Sequence, residues 1–181
     1  SVAFWNLFGA GLLGFLINLP SVNFFSHGSF LTSAHAHGAL MGVYGMLGIA
    51  LLLFSMRTIS NERSEKLLKL SFWGLNGGLM GMILITLLPV GFMQLIQGIE
   101  HGYWFVRTID FYYQPTVHLL LWLRMIPDTV FIALGVVPLV IAVVRMWRNP
   151  RQVREDAGGL TFDDVLRQAE TATSAKDVHV N

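Results

Sequence analysis

Two histidines one residue apart, His35 and His37, are the residues of this sequence best suited to chemistry. They stand near the start of an apolar stretch, LTSAHAHGALMGVYGMLGIALLLF, that is long enough to cross a membrane as a helix. Burying an imidazole in hydrocarbon is costly unless the ring is neutral and has a partner. Each of the two rings therefore needs a partner within the membrane.

The spacing of the pair predicts that the two rings point in different directions. Successive helical residues are rotated by about 100°, so His35 and His37 point about 200° apart. A regular helix cannot bring both rings to one metal ion, but each ring can hold a separate metal-centred group. Neutral imidazole is a common ligand of haem iron. Small neighbours leave room for flat macrocycles on both sides: Ala34, Ala36, Gly38, Ala39, Gly42 and Gly45. A pair of pore-lining or hydrogen-bonded histidines is the alternative interpretation.

The composition places these histidines in a membrane protein. Of the 181 residues, 54% are hydrophobic and 13% are charged, whereas a soluble domain carries about 25% charged residues. A spanning helix needs about 20 mostly apolar residues, and four segments meet or approach that length: residues 2–19, 30–56, 70–97 and 116–147. We therefore expect an all-α membrane protein with four transmembrane helices within residues 1–150. Residues 151–181 are polar and are expected to form a loosely ordered tail.

The composition also excludes several kinds of site. The sequence has no cysteine, which removes disulfides, c-type haem attachment and thiolate metal sites. A formal net charge of +1 gives no argument for binding nucleic acid. The first segment lacks a basic leader and begins SVAFWNLFG without methionine, so we expect a piece of a longer protein rather than a signal peptide.

The distribution of lysine and arginine predicts the orientation in the membrane. The 57–69 loop and the 145–154 stretch carry four each, whereas the 97–115 loop carries only Arg107 and the polar turn over residues 21–29 carries none. By the positive-inside rule, the 57–69 loop and the C-terminus should face the cytoplasm. His35 and His37 should then lie close to the outer surface.

Three stretches of the sequence, FLINLPSVNFFSHGSFLT, AHAHGALMGVYGMLG and LLWLRMIPDTVF, resemble the C-terminal part of nitric oxide reductases. These enzymes belong to the haem-copper oxidase superfamily. The resemblance covers about residues 1–150. Among these enzymes, the sequence looks most similar to the quinol-dependent, single-chain members. It implies that the four predicted helices are the last four of a twelve-helix bundle in the bacterial inner membrane.

The resemblance also implies a role for each histidine. His35 would bind the iron of the high-spin haem b at the reaction site, and His37 would be one of two axial ligands of the low-spin haem b. The implied reaction converts two NO, two electrons and two protons to N2O and water at a haem and a non-haem iron. In the family, the ligands of the non-haem iron lie on earlier helices, as does the second ligand of the low-spin haem.

This chain has no cluster that would replace those missing ligands. The expected partners are therefore the N-terminal helices of the catalytic polypeptide, quinol and the lipid bilayer. No catalytic residue is expected within the chain beyond the haem ligands.

Other polar residues in or beside the helices have less specific interpretations. Arg124 and Asp128 stand four residues apart in the fourth helix, and a charge at that depth needs a partner. They are expected to form an ion pair; Arg124 is also a candidate for contact with a haem propionate, and Asp128 for the border of a quinol pocket or a hydrogen-bond network. Gln94 and Gln97 are expected to face water at a helix end. Interfacial solvation accounts for Glu100, His101 and Arg107, with a role near the haem propionates or in proton entry as the alternative. His118 is expected to be an interfacial hydrogen-bonding residue, with a role as a ligand as the alternative.

Several alternatives remain open at this point. A cytochrome c-dependent nitric oxide reductase has the same chemistry with another electron donor. An oxygen reductase of the same superfamily would hold copper in place of the non-haem iron. A diheme membrane anchor would use both histidines without an open haem face, and a helical transporter would bind no haem.

Overall fold

The computed structural model describes residues 1–57, 60 and 62–148, and the regular structure in that part of the chain is entirely helical. The predicted tail, residues 151–181, lies outside the described residues. The helices are α1 (Val2–Asn18), α2 (Pro20–Ser26), α3 (Phe30–Ser55), α4 (Glu62–His101), α5 (Ile109–Tyr112) and α6 (Pro115–Arg148).

Three of these helices, α3, α4 and α6, are each long and apolar enough to cross a membrane. Helices α1 and α2 together make a fourth candidate span that is bent by 99°. The bend falls at Leu19, whose extended backbone (ψ 128°) is what a following proline favours. Pro20 then opens α2, where its missing N–H costs nothing. The predicted polar turn over residues 21–29 is therefore wrong for most of its length.

Helix α4 begins at Glu62, eight residues before the predicted start at residue 70. Two carboxylates in its first turn, Glu62 and Glu65, stabilise the start of the helix by interacting with the positive end of the helix dipole. Lys66 Nζ lies 2.8 Å from a carboxylate oxygen of Glu62, one turn away. This first part of α4 is polar, so a search for apolar segments does not include it. The connection between α3 and α4 is therefore shorter than the predicted 57–69 loop. The helix ends at His101 and is followed by Gly102, whose φ of 94° suits glycine.

Each of the four long helices contains a wide π-helical segment, at Asn6–Leu12, His37–Gly45, Met82–Leu87 and Phe131–Val136. In α4 and α6 the segment ends shortly before Pro89 and Pro138. A proline donates no N–H, and its ring crowds the carbonyl four residues earlier. The wider turn accommodates that ring. Both prolines therefore lie within continuous helices.

A glycine seam joins α1 to α3. A Cβ added to Gly9 would lie 2.7 Å from the Cα of Gly38, so the two backbones touch at this crossing. One turn farther along α3, Gly42 packs against the ring of Trp5. Small residues drive helix association in membranes because they allow close backbone contact. The seam therefore places α1 directly beside the segment that carries the two histidines.

A second seam of the same kind joins α4 to α6. Gly74 packs against the backbone of Gly135, and a Cβ added to Gly78 would lie 2.6 Å from Phe131. Farther along the seam, the Thr86 hydroxyl donates a 3.0 Å hydrogen bond to the carbonyl of Leu120. The two seams hold α1 against α3 and α4 against α6 at backbone contact.

Candidate functional site

Helix α3 begins five residues before His35, and side chains define its start. Ser29 is the N-cap, and its hydroxyl accepts a 3.2 Å hydrogen bond from the N–H of Leu31. The Thr32 hydroxyl donates to the carbonyl of Ser26 at 2.9 Å. The Ser29 bond caps the start of α3, and the Thr32 bond ties its first turn to the end of α2.

The ring of His35 packs against α1. Its Nδ1 lies 3.0 Å from the carbonyl oxygen of Gly9. A Cβ added to Gly14 would lie 2.9 Å from Cε1 of the ring, so this glycine makes the space for the imidazole. A carbonyl oxygen only accepts, so Nδ1 carries the proton. The lone pair of His35 is therefore on Nε2, the atom available to a metal.

The ring of His37 has the same tautomer with a different partner. Its Nδ1 donates to the carbonyl oxygen of Ser33, one turn earlier on α3, at 2.8 Å. Both rings are half-buried. Within the described part of the chain, no further hydrogen bond holds either ring. Each histidine thus presents a free Nε2, one beside α1 and the other bonded only to its own helix.

This donor set fits haem better than a bare metal ion. Among the described residues, no group of three or more His, Asp or Glu side chains comes together as a metal site. A haem brings four nitrogen ligands of its own, so a single imidazole from this chain would suffice as its contribution to each haem. Two neutral imidazoles with Nδ1 held and Nε2 free meet that requirement.

The side of α3 that carries His37 is covered by none of the described helices. Large apolar side chains follow His37 at helical spacing and are exposed: Leu40, Met41, Tyr44, Leu47 and Leu51. Tyr44 is 68% exposed. These side chains lie within or just after the π-helical segment His37–Gly45, so an exposed apolar stripe follows His37 along α3. The structure thereby separates the two histidines: His35 faces α1, and His37 faces an unpaired side of α3.

The expected ion pair between Arg124 and Asp128 is present in α6, with 3.3 Å between Nε and Oδ2. About a third of each side chain is exposed, at 32% and 39%. The second carboxylate oxygen of Asp128, Oδ1, is buried and has no hydrogen-bond partner. Neither residue is hydrogen-bonded to His35 or His37 in the described part of the chain. The ion pair therefore uses one carboxylate oxygen of Asp128 and leaves the other, Oδ1, without a hydrogen bond.

The prediction that Gln94 faces water is wrong. Its side chain is 2% exposed and lies between α3, α4 and residues 102–114, which we name the outer loop after its predicted orientation. Gln94 lies four residues after Val90 and four before Gly98, both of which are buried, so it belongs to the buried face of α4. Gln97 is half-buried and exchanges two hydrogen bonds with Gln114, at 3.0 and 2.8 Å.

The other polar residues near the outer loop have local partners. Arg107 donates hydrogen bonds of 2.6 Å to the carbonyl of His27 and to the hydroxyl of Tyr103. His118 accepts from the indole N–H of Trp122 at 3.3 Å. In the exposed pair Glu100 and His101, Nδ1 of the imidazole lies 3.9 Å from a carboxylate oxygen. The interfacial role expected for these residues stays a prediction.

Comparison with known proteins identifies the family of this chain. Residues 1–130 match the family described as cytochrome c and quinol oxidase polypeptide I. The chain belongs to this family. It is also similar to a nitric oxide reductase subunit of Stutzerimonas stutzeri, with 30% identity over 138 residues, which cover 71% of this chain and 28% of that relative. The chain therefore spans 28% of the length of this curated relative.

Membership of the oxidase polypeptide I family confirms the predicted resemblance to haem-copper oxidases and nitric oxide reductases. It also confirms, together with the apolar helices, that this is an all-α integral membrane protein. The family implies haem cofactors. His35 and His37 are the residues whose geometry in this chain suits them.

Proposed function

We propose that this chain is the C-terminal part of a membrane nitric oxide reductase that draws electrons from quinol. In this proposal His35 would hold the iron of a high-spin haem b, and His37 would be one of the two protein ligands of a low-spin haem b. The observation that carries the proposal is the state of the two rings: both Nδ1 atoms donate to backbone carbonyls, at 3.0 and 2.8 Å, and both Nε2 atoms are free. The similarity to a nitric oxide reductase of Stutzerimonas stutzeri supports the choice of reaction.

The surroundings of each histidine fit its proposed task. The Gly9 carbonyl fixes the ring plane of His35 and, by accepting its Nδ1–H, makes Nε2 a better electron donor. The Ser33 carbonyl does the same for His37 from within α3. When bound, the haems supply the redox chemistry, and the protein holds and tunes them. One intervening residue, Ala36, separates the two ligands, which makes a short path between their groups.

Asp128 and Arg124 are the proposed polar contacts of the substrates and cofactors in α6. The unpartnered, buried Oδ1 of Asp128 is an acceptor suited to a quinol hydroxyl, since unsatisfied buried acceptors are rare. Arg124 has only its Nε in the ion pair, so its outer guanidinium nitrogens remain available to a haem propionate. Both roles belong to the proposal.

The rest of the reductase must complete the site. The non-haem iron and the second ligand of the low-spin haem would come from residues outside this chain, within a twelve-helix bundle of the bacterial inner membrane. The apolar stripe beside His37 supports this, because such a face needs lipid or further helices to cover it. The lysine and arginine distribution supports a cytoplasmic C-terminus.

A haem and metal inventory tests the proposal. It would be made on the longest native polypeptide that contains this chain, with NO reduction measured alongside. Two b haems, three irons and no copper, with NO reduced from quinol, are the expected result. Two irons and one copper would replace it with an oxygen reductase. Two six-coordinate haems without further iron would leave an electron-transfer anchor. Activity with cytochrome c and none with quinol would change the donor.

A further inference from the structure

A buried amide holds the outer end of the histidine helix. The Oε1 of Gln94 accepts a 2.8 Å hydrogen bond from the N–H of Phe30, the first residue of α3. The first N–H groups of a helix have no partner within the helix. Ser29 satisfies the N–H of Leu31, so Gln94 completes a cap that the local sequence provides only in part.

A second contact fixes the same two helices one turn away. A Cβ added to Gly91 would lie 2.6 Å from the backbone nitrogen of Leu31, so α4 touches the backbone of α3 there. Ala34, which is fully buried, continues this interface and immediately precedes His35. The start of α3 is therefore held against α4 by a close backbone contact at Gly91 and a hydrogen bond at Gln94.

The amide of Gln94 also faces the outer loop. Its Nε2 lies 3.4 Å from both the carbonyl oxygen of Val106 and the hydroxyl of Tyr112, as a donor to each. Val106 is fully buried. An amide both accepts and donates, whereas an apolar side chain does neither. At 2% exposure, water cannot replace these bonds.

We propose that Gln94 is a positioning residue for the two haem ligands. By joining the first turn of α3 to α4 and to the outer loop, it sets the depth and rotation of α3 and hence the direction of Nε2 on His35 and His37. His35 lies five residues after Phe30 in the same continuous helix, a rise of about 7.5 Å. A shift at the first turn is carried to both rings because the helix between them is continuous. The inference rests on the proposed haem ligation.

Two substitutions at Gln94 and one control test it, each made in the longest native polypeptide that contains this chain. Gln94→Met keeps the length of the side chain and removes its acceptor and donor. Gln94→Glu keeps the acceptor, and its protonated form keeps one donor. The control is Gln97→Met: Gln97 bonds Gln114, the residue before α6, and has no hydrogen bond to α3.

Two readouts separate anchoring from haem geometry. Hydrogen exchange of the Phe30 amide reports the cap without reference to haem. The electron paramagnetic resonance signal and midpoint potential of the low-spin haem report the ligand geometry. For Gln94→Met we expect about tenfold faster exchange at Phe30, a shifted low-spin signal with full haem content, and turnover lower by about tenfold. Gln94→Glu should retain the protection of Phe30, and Gln97→Met should behave as the unmodified protein.

The results distinguish this inference from the function on which it rests. An unmodified polypeptide without haem overturns both. Normal haem in the unmodified protein with an unshifted low-spin signal in Gln94→Met overturns the positioning role alone. A Gln97→Met protein that shows the same shift as Gln94→Met overturns it as well, because the effect would then not depend on contact with α3. Loss of Phe30 protection in Gln94→Glu would contradict the cap.

Discussion

Replacing Gly9 with alanine tests the contact between α1 and the histidine helix. The carbonyl of Gly9 accepts the hydrogen bond from Nδ1 of His35, and its Cα faces Gly38. The added methyl would lie 2.7 Å from the Cα of Gly38 and 3.0 Å from its carbonyl carbon. Both neighbours are backbone atoms, so no side-chain rotation relieves the contact, and the two helices must move apart.

The geometry sets the size of the effect. Ordinary contacts of a Cβ begin at 3.4 Å, so the helices would separate by about 0.7 Å at the crossing. A movement of that size lengthens the 3.0 Å bond between His35 and Gly9 to about 3.7 Å, beyond hydrogen-bonding distance. Overpacking costs about 1–3 kcal/mol and the lost hydrogen bond about 1 kcal/mol. Gly9→Ala should therefore destabilise the protein by about 2–4 kcal/mol.

Thermal unfolding in detergent and resonance Raman spectroscopy of the high-spin haem measure the two consequences. We expect a lower unfolding temperature and a lower iron–histidine stretching frequency, because the ring nitrogen loses its acceptor. Gly48→Ala is the matched control on α3, since a Cβ there meets nothing within 4 Å. If Gly9→Ala matched Gly48→Ala in both measurements, the proposed contact of His35 with α1 would be refuted.

Three further substitutions test other contacts of the chain. Asp128→Asn should lower quinol-driven NO reduction by at least about tenfold and spare turnover with an artificial donor; equal losses would remove the quinol role. Ser29→Ala removes the acceptor for the N–H of Leu31 and should cost about 1 kcal/mol in thermal stability; an unchanged unfolding temperature would contradict the cap. Lys66→Ala breaks an ion pair that is 73% and 81% exposed, so a stability change above about 0.5 kcal/mol would contradict its assignment as a solvated contact.

Hydropathy and spacing predicted the parts of the fold that depend on single segments. Long apolar runs predict membrane helices, and α3 and α6 lie where those runs are. The two-position spacing of His35 and His37 predicted rings with different surroundings, and the structure places one beside α1 and the other on an unpaired face. Both inferences need only the period of a helix and the cost of burying polar groups.

Other features depend on contacts between segments, which composition does not report. The polar start of α4 at Glu62 has low hydropathy but favourable charges along its first turns. Gln94 resembles any glutamine near a helix end until its partner Phe30, 64 residues earlier, is known. The carbonyl of Gly9 is likewise invisible as the partner of His35, because it comes from the backbone of a different helix.

The separate ligation of two haems is the central claim, and spectroscopy of the single variants His35→Ala and His37→Ala tests it most directly. Both would be made in the longest native polypeptide that contains this chain, and haem content and electron paramagnetic resonance would be recorded. We expect that His37→Ala loses the low-spin signal and keeps the high-spin haem, whereas His35→Ala does the reverse. If both variants lost the same signal, or if neither variant lost a signal, the claim that each histidine holds its own haem would be contradicted.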